Sequence, residues 1–381
     1  MRSLVRSSVA PSLCLGALTA GLSPLVGCFS PPPPVYTVDT LSFSNDYTTS
    51  TDIVVQPYTY SELLCPDGKS ATFYTLYREG LTDAAPIVIL FHSGAFDYVV
   101  NPVTEDPLHG AHYQSDSRLD SDWANQKIFE TLGLVPGDGT EGNDGTLPAA
   151  LAEAGAFTMI PADCWGDLWH NEYGSAPNDT SEGFTRNGRY LAWAMSAIAS
   201  PDAATASYWQ AQLGLADLPI TLDYSSISLV GLGEGGRAIP ELFRRSQTVT
   251  TVSPASPLLP PVRGVIIDST MDNLYPIASN PSAFSGYYTG LQRIFPTDVN
   301  GDIGRYSLGR WYSELGDPYP VHMAWSSVDP EVPNSTSDGY LTTEQAYPGV
   351  MTDKDYGTSK HIFINSNIAD ATDAVKVMLG R

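Results

Sequence analysis

Six consecutive apolar residues, Pro86-Ile87-Val88-Ile89-Leu90-Phe91, run without a polar break into His92-Ser93-Gly94. A strand with one wet face alternates apolar and polar residues. An unbroken run needs cover on both faces, which is the environment of a parallel sheet. Phe157–Pro161, Val262–Asp268 and Val321–Ser326 read as further buried strands, and Ile227–Val230 as another strand. Helical stretches are read at Arg186–Ala199, Arg237–Arg245 and Asp370–Leu379. Upstream, Ile53–Tyr60 and Ala71–Arg78 read as two further strands, with the turn residues Pro66-Asp67-Gly68 between them. Strands alternating with helices predict an α/β fold: a mostly parallel central sheet with helices on both faces. Residues 97–150, rich in Asp, Gly and His, break in after the third strand and read as an insertion or lid, with one helix near Trp123–Leu132. The chain has 381 residues, of which 42% are hydrophobic, so it can bury a sizeable core. Its 42 acidic against 19 basic residues leave a net charge of -23, and a surface that repels phosphate backbones excludes nucleic acid as the expected partner.

The first residues read as an export segment. Arg2 and Arg6 open it, Val9–Gly27 is a mostly apolar run of small residues, and no Asp or Glu precedes Asp39. Pro11, Ser12, Thr19, Ser23 and Pro24 interrupt the run, so its continuous apolar length falls short of the roughly 20 residues of a membrane-spanning helix. It ends in Leu25-Val26-Gly27-Cys28, which resembles the lipobox of bacterial lipoproteins. That resemblance implies that residues 1–27 are a signal peptide and that Cys28 carries the lipid. The protein would then be anchored to a membrane of the cell envelope, with plain secretion as the alternative. Pro31–Pro34 favour a stiff spacer, and residues 28–50 read as a tether for a folded domain over 51–381. Cys14 and Cys28 belong to the export segment. Cys65 and Cys164 remain for the domain, where a disulfide and two separate buried thiols are both open. Their spacing is not that of a metal site.

Three strand-end stretches carry possible chemistry. His92-Ser93-Gly94-Ala95-Phe96 follows the Pro86–Phe91 strand, and a glycine turn there can aim backbone N–H groups at a developing oxyanion or simply end a strand. Gly231-Leu232-Gly233-Glu234-Gly235, with Gly236 next, lies between a strand and a helix. As G-x-G-x-x-G it competes for the dinucleotide fingerprint. No acidic residue occurs between Glu241 and Asp268, however, where the ribose-binding carboxylate belongs. As G-x-S-x-G it fits the nucleophile elbow at every position but the centre, where Gly233 stands in place of serine. Third, Asp329 follows the Val321–Ser326 strand and His361 precedes the last helix, the chain order of an acid and a general base.

Together these residues resemble the α/β-hydrolase fold, near its dienelactone-hydrolase and prolyl-oligopeptidase-like branch, over residues 51–381. The resemblance implies backbone oxyanion donors at Ser93, Gly94 and Glu234, an acid at Asp329, a base at His361 and a nucleophile position at Gly233. A glycine cannot attack a carbonyl, and loss of the serine from a comparable triad lowers turnover by about 10⁶. The expected function is a degenerate hydrolase that binds a small molecule or a peptide in the former cleft. An active ester or peptide hydrolase is the alternative, using His361 and Asp329 with a water, or with Ser269, Ser326 or Ser327 as nucleophile. A structural surface lipoprotein is the third reading. No cofactor and no metal is expected: His109 and His112 lie on an acidic loop, and Asp298–Asp302 begins like a calcium loop but has Trp311 and Tyr312 where its far glutamate belongs. Trp165, Trp169 and Trp193 read as core or pocket lining, and His322 as a core residue within its strand.

Overall fold

The chain divides into residues 1–32 and 33–381, and every residue described in this computed structural model belongs to the second unit. The described residues are 53–64, 70–92, 128–133, 145–161, 195, 198–199, 203–233, 235–236, 239, 242, 260–270, 320–328, 351–355, 357, 364 and 367–380. Eight strands form one sheet: β1 (Ile53–Leu64), β2 (Ser70–Arg78), β3 (Ala85–Phe91), β4 (Phe157–Pro161), β5 (Leu222–Leu232), β6 (Val262–Asp268), β7 (Val321–Trp325) and β8 (Met351–Asp355). Their spatial order is β1-β2-β4-β3-β5-β6-β7-β8. β2 pairs antiparallel with β1 and β4, and every other pairing is parallel. β2 therefore runs against an otherwise unidirectional sheet.

The central strands form because their side chains have apolar cover on both sides. All seven residues of β3 and all five of β4 are buried. β5 differs along its length: Asp223–Ser226 are partly exposed and Ile227–Leu232 buried. Its outer half pairs Ala85 and Pro86 of β3 with Leu222 and Asp223, and the register then shifts so that Ile87 faces Ile227. Three helices are described over their full length. α1 (Thr146–Glu153) packs on β2 and β4, α3 (Ile368–Leu379) packs on β6 and β7, and the two helices touch each other. α2 (Ala203–Gln212) has no buried residue. Gly264 of β6 has to be glycine because a Cβ there would run into the Met378 carbonyl of α3. Asn367 caps α3, its Oδ1 accepting from the N–H groups of Ala369 and Asp370 at 3.1 and 3.2 Å, and Gly380 ends it with φ +67°.

Two elements differ from the sequence expectation. α1 starts at Thr146, inside the stretch read as an insertion, and Thr146–Ala152 are all buried. β8 occupies Met351–Asp355, a stretch not read as a strand from the sequence. Among the described residues no helix is long and apolar enough to cross a membrane.

Candidate active site

The chain passes from β3 to β4 on one side and then crosses to β5 on the other, so the strand order reverses at β3. In open parallel sheets ligands bind beyond the carboxyl ends of the strands at such a reversal. Here those ends carry His92 after β3 and the glycine-rich turn after β5.

That turn is tightly built. Gly233 sits between the last residue of β5, Leu232, and the helical residue Gly235, with φ +51°. Its N–H donates to the Asp268 main-chain oxygen at 2.8 Å, and its carbonyl accepts from Gly236 N–H at 3.1 Å. Three flanking glycines have no room for a side chain. A Cβ on Gly231 would meet the Gly236 backbone, one on Gly235 the Phe91 and His92 carbonyls, and one on Gly236 the Thr270 hydroxyl. The start of the helix is thus pressed against the end of β3, which only glycine permits at this separation. The result is a sharp strand-to-helix turn with Gly233 at its apex.

The end of β6 supports this apex. Asp268, Ser269 and Thr270 are all buried. Thr270 Oγ1 donates to the Gly233 carbonyl at 2.5 Å. The Asp268 carboxylate accepts from Ser269 Oγ at 2.9 Å on Oδ1 and from Ile364 N–H at 2.9 Å on Oδ2. Ser269 has φ +55°, the one positive value at a non-glycine among the described residues, and its N–H donates to the Ala324 carbonyl of β7 at 2.9 Å. Ile364 is fixed at its other polar group too, since Thr146 Oγ1 of α1 donates to its carbonyl at 3.0 Å.

Beside β7, Asp355 at the end of β8 accepts from Ser327 N–H at 3.0 Å and from Gly357 N–H at 2.8 Å. Burial alone would raise the Asp355 pKa; these N–H groups and the Ser327 hydroxyl outweigh it and hold the carboxyl below its ordinary value. Ser326 is buried, and its hydroxyl accepts from Val328 N–H at 3.3 Å within the turn. His322 lies in β7, 9% exposed, where burial pushes its pKa down to about 4.

Of the residues singled out from the sequence, Gly233 and the serines Ser269, Ser326 and Ser327 are described. Ser93, Gly94, Glu234, Asp329 and His361 lie outside the described residues, as do Cys28, Cys65 and Cys164. So do His109, His112, the Asp298–Asp302 stretch and the three tryptophans. Chain adjacency still ties the first group to the crest. Ser93 follows His92, Glu234 follows Gly233, and Asp329 follows Val328, while His361 stands three residues before Ile364. Gly233 and Ile364 are both bonded directly to Asp268. Sequence reading did not give Asp268 and Thr270 a place in the site. The available signal was an apolar strand ending in three successive polar residues, Asp268-Ser269-Thr270, as β3 ends in His92-Ser93.

No family model matches the sequence, and no curated protein matches it. Solved structures do resemble the chain. Esterase B from Lactobacillus rhamnosis, with a C6-C4 SN3 inhibitor, is 14% identical over 88% of each chain, with a TM-score of 0.52. The same esterase with a C4-C4 SN3 tributyrin phosphonate is 13% identical over 86% of this chain and 84% of its own, with a TM-score of 0.50. Carboxyl esterase 2 from the mycorrhizal fungus Tuber melanosporum is 14% identical over 88% of this chain and 87% of its own, at a TM-score of 0.46. At these identities the likeness speaks to architecture, and with the eight-stranded, mostly parallel sheet it makes this an α/β-hydrolase fold.

Proposed function

We propose that this protein is a degenerate hydrolase, which binds a carbonyl-bearing small molecule or peptide in the cleft at the ends of β3, β5 and β7 without forming a covalent intermediate at the elbow. Gly233 occupies the position of the nucleophile. Backbone N–H groups at Ser93, Gly94 and Glu234 take the ligand's carbonyl oxygen. Asp329 and His361 form the acid and base pair beside it and hold a water or a polar ligand group. The observation that carries this reading is the Gly233 turn. Its flanking glycines are packed too closely for any side chain, as an elbow requires, while the apex has none to offer. Esterase B, of like fold, is inhibited by a C6-C4 SN3 compound and a C4-C4 SN3 tributyrin phosphonate, which supports a ligand with an ester-like carbonyl for this cleft.

Restoring the hydroxyl tests the reading. Gly233→Ser is expected to gain hydrolysis of short acyl esters and covalent labelling by a fluorophosphonate, both absent at that position in the native chain. A folded Gly233→Ser protein that stays inert on a broad ester panel and unlabelled would sink the assignment of elbow, acid and base. The variant also bears a stability penalty. A non-glycine residue at φ +51° costs about 1–2 kcal/mol, which lowers Tm by a few degrees in a domain of this size.

One observation favours a second reading, in which the native chain hydrolyses esters through a displaced nucleophile. Ser269 holds a strained left-handed backbone at the tip of the neighbouring strand, and its Oγ donates to a carboxylate oxygen of Asp268. The same probe decides it: a fluorophosphonate adduct mapped to Ser269 in the native protein, and lost in Ser269→Ala, replaces the first reading by this one.

We infer further that Cys28 carries lipid and that residues 28–50 tether the domain to a membrane of the cell envelope. The Leu25-Val26-Gly27-Cys28 end of the apolar run supports this. Expressed from its own gene in a bacterial host, the native chain is expected in the membrane fraction with an added lipid mass, and Cys28→Ala in the soluble or secreted fraction. Equal partitioning of the two would remove the anchor.

A further inference from the structure

Among the described residues, the turn that ends β6 is the one place where the elbow, the end of β7 and the chain just beyond His361 meet. Asp268 is fully buried and binds two of the three: its main-chain oxygen takes the Gly233 N–H and its Oδ2 takes the Ile364 N–H. The next residue binds the third, Ser269 N–H donating to Ala324 at the end of β7. Thr270 then returns to the elbow through the Gly233 carbonyl.

This density of bonding has a backbone cost. Ser269 adopts φ +55° with a side chain present, and such conformations persist where surrounding contacts over-determine them. The kink lies beyond the Ser269 N–H and turns the chain so that Thr270 reaches the Gly233 carbonyl. A carboxylate acceptor also makes a stronger bond to a buried N–H than a neutral oxygen does. Ile364 is locked from the other side by the Thr146 hydroxyl, so neither of its polar groups is free to let the chain slide. Ile364 lies three positions after His361, so the two Cα atoms are no more than about 11 Å apart.

We propose that Asp268 is a positioning residue for the candidate site: its buried carboxylate holds the segment that bears His361 at a fixed distance from the Gly233 apex. The proposal rests on the reading of His361 as the base, and its test separates the two. In the native background, hydrogen–deuterium exchange of the peptide containing Ile364 is compared with that of β3 and β4. Asp268→Ala is expected to speed exchange of the Ile364 peptide about tenfold or more, with β3 and β4 unchanged. Asp268→Asn, which keeps an oxygen acceptor for Ile364 N–H, stays near the native rate. In the Gly233→Ser background, Asp268→Ala is expected to lower kcat by about ten- to a hundredfold with KM held, and Asp268→Asn to restore most of it. A role confined to folding would lower Tm and leave kcat of the folded protein alone.

Unchanged exchange at the Ile364 peptide overturns the proposal. So does faster exchange accompanied by an unchanged kcat. If Gly233→Ser is itself inert, the elbow reading falls, and the exchange result alone supports or overturns the anchor. Should Asp268→Ala fail to fold, Asp268→Ser takes its place in both arms: it leaves the Ser269 hydroxyl a partner but is too short to reach Ile364.

Discussion

Gly236 shows most clearly how the elbow constrains single residues. A Cβ at this position collides first with the Thr270 hydroxyl and then with Thr270 Cβ and a methyl of Ile267. That hydroxyl is the donor to the Gly233 carbonyl, so a methyl at Gly236 both overpacks the turn and displaces its bond. Overpacking of this kind costs about 1–3 kcal/mol and the lost hydrogen bond about 1 kcal/mol. Gly236→Ala is therefore expected to lose about 2–4 kcal/mol in chemical denaturation. Thr270→Ala is expected to lose only about 1 kcal/mol, because the Gly233 carbonyl keeps the Gly236 N–H. The double variant is expected to lose clearly less than the sum, since the first atom in the way has gone. Strict additivity would mean that Gly236 and Thr270 do not share this space. At this scale the sequence was most legible where a residue type excludes alternatives: the glycines of the turn announced a close approach. The partner in that approach, Thr270, follows a different strand and stood in the sequence only as the last of three polar residues that end an apolar run.

Among the elements, those buried on both faces were the easiest to read. β3, β4, β6 and β7 lie where both faces of the sheet are covered, and their apolar runs coincide with their observed limits to within a residue. β5 was read as Ile227–Val230 because only its inner half is continuously buried. In its outer half Asp223–Ser226 are partly exposed, and it is held at Asp223, whose pKa is lowered first by the Ser225 hydroxyl bond and then by Arg263. β8 was missed for a related reason. It is the edge of the sheet, its sequence Met351-Thr352-Asp353-Lys354-Asp355 carries three charges, and charge on an edge strand discourages pairing with other chains. Its Lys354 bonds Asp370 of α3 at 2.5 Å, so the edge is tied to the helix rather than to a further strand. α1 was absorbed into the insertion because its sequence, Thr146-Leu147-Pro148-Ala149-Ala150-Leu151-Ala152-Glu153, follows a run of Gly and Asp and has a proline near its start. That proline occupies the first turn, where its missing N–H has no intrahelical partner to lose.

Over the whole molecule, protonation sets the acid limit of the fold, and one residue begins the loss well above the range in which carboxylates titrate. His322 sits in the middle strand pairing of β6, β7 and β8, opposite Ile266 on one side and Thr352 on the other. Burial first and then Lys354 on β8 lower its pKa to about 4, with Asp370 and Asp373 on α3 opposing only in part. The unfolded chain takes up a proton at His322 near pH 6.5, while the folded protein resists until about pH 4. Depressed in the folded state, this group favours folding above pH 6.5, and its contribution is lost as pH falls from there to about 4. A difference of this size corresponds to on the order of 3 kcal/mol. Asp355 and Asp223, with carboxyl pKa values lowered in the folded state, lose their contributions below that range, as pH falls through the lowered values. Acid unfolding is therefore expected in two stages, the first assigned to a single imidazole. His322→Met keeps an unbranched side chain in this buried position and cannot titrate. Stability measured by denaturant between pH 7 and pH 4.5 should fall by about 2–3 kcal/mol less in this variant than in the native chain. An equal fall in both would place the early loss elsewhere and leave His322 as packing alone.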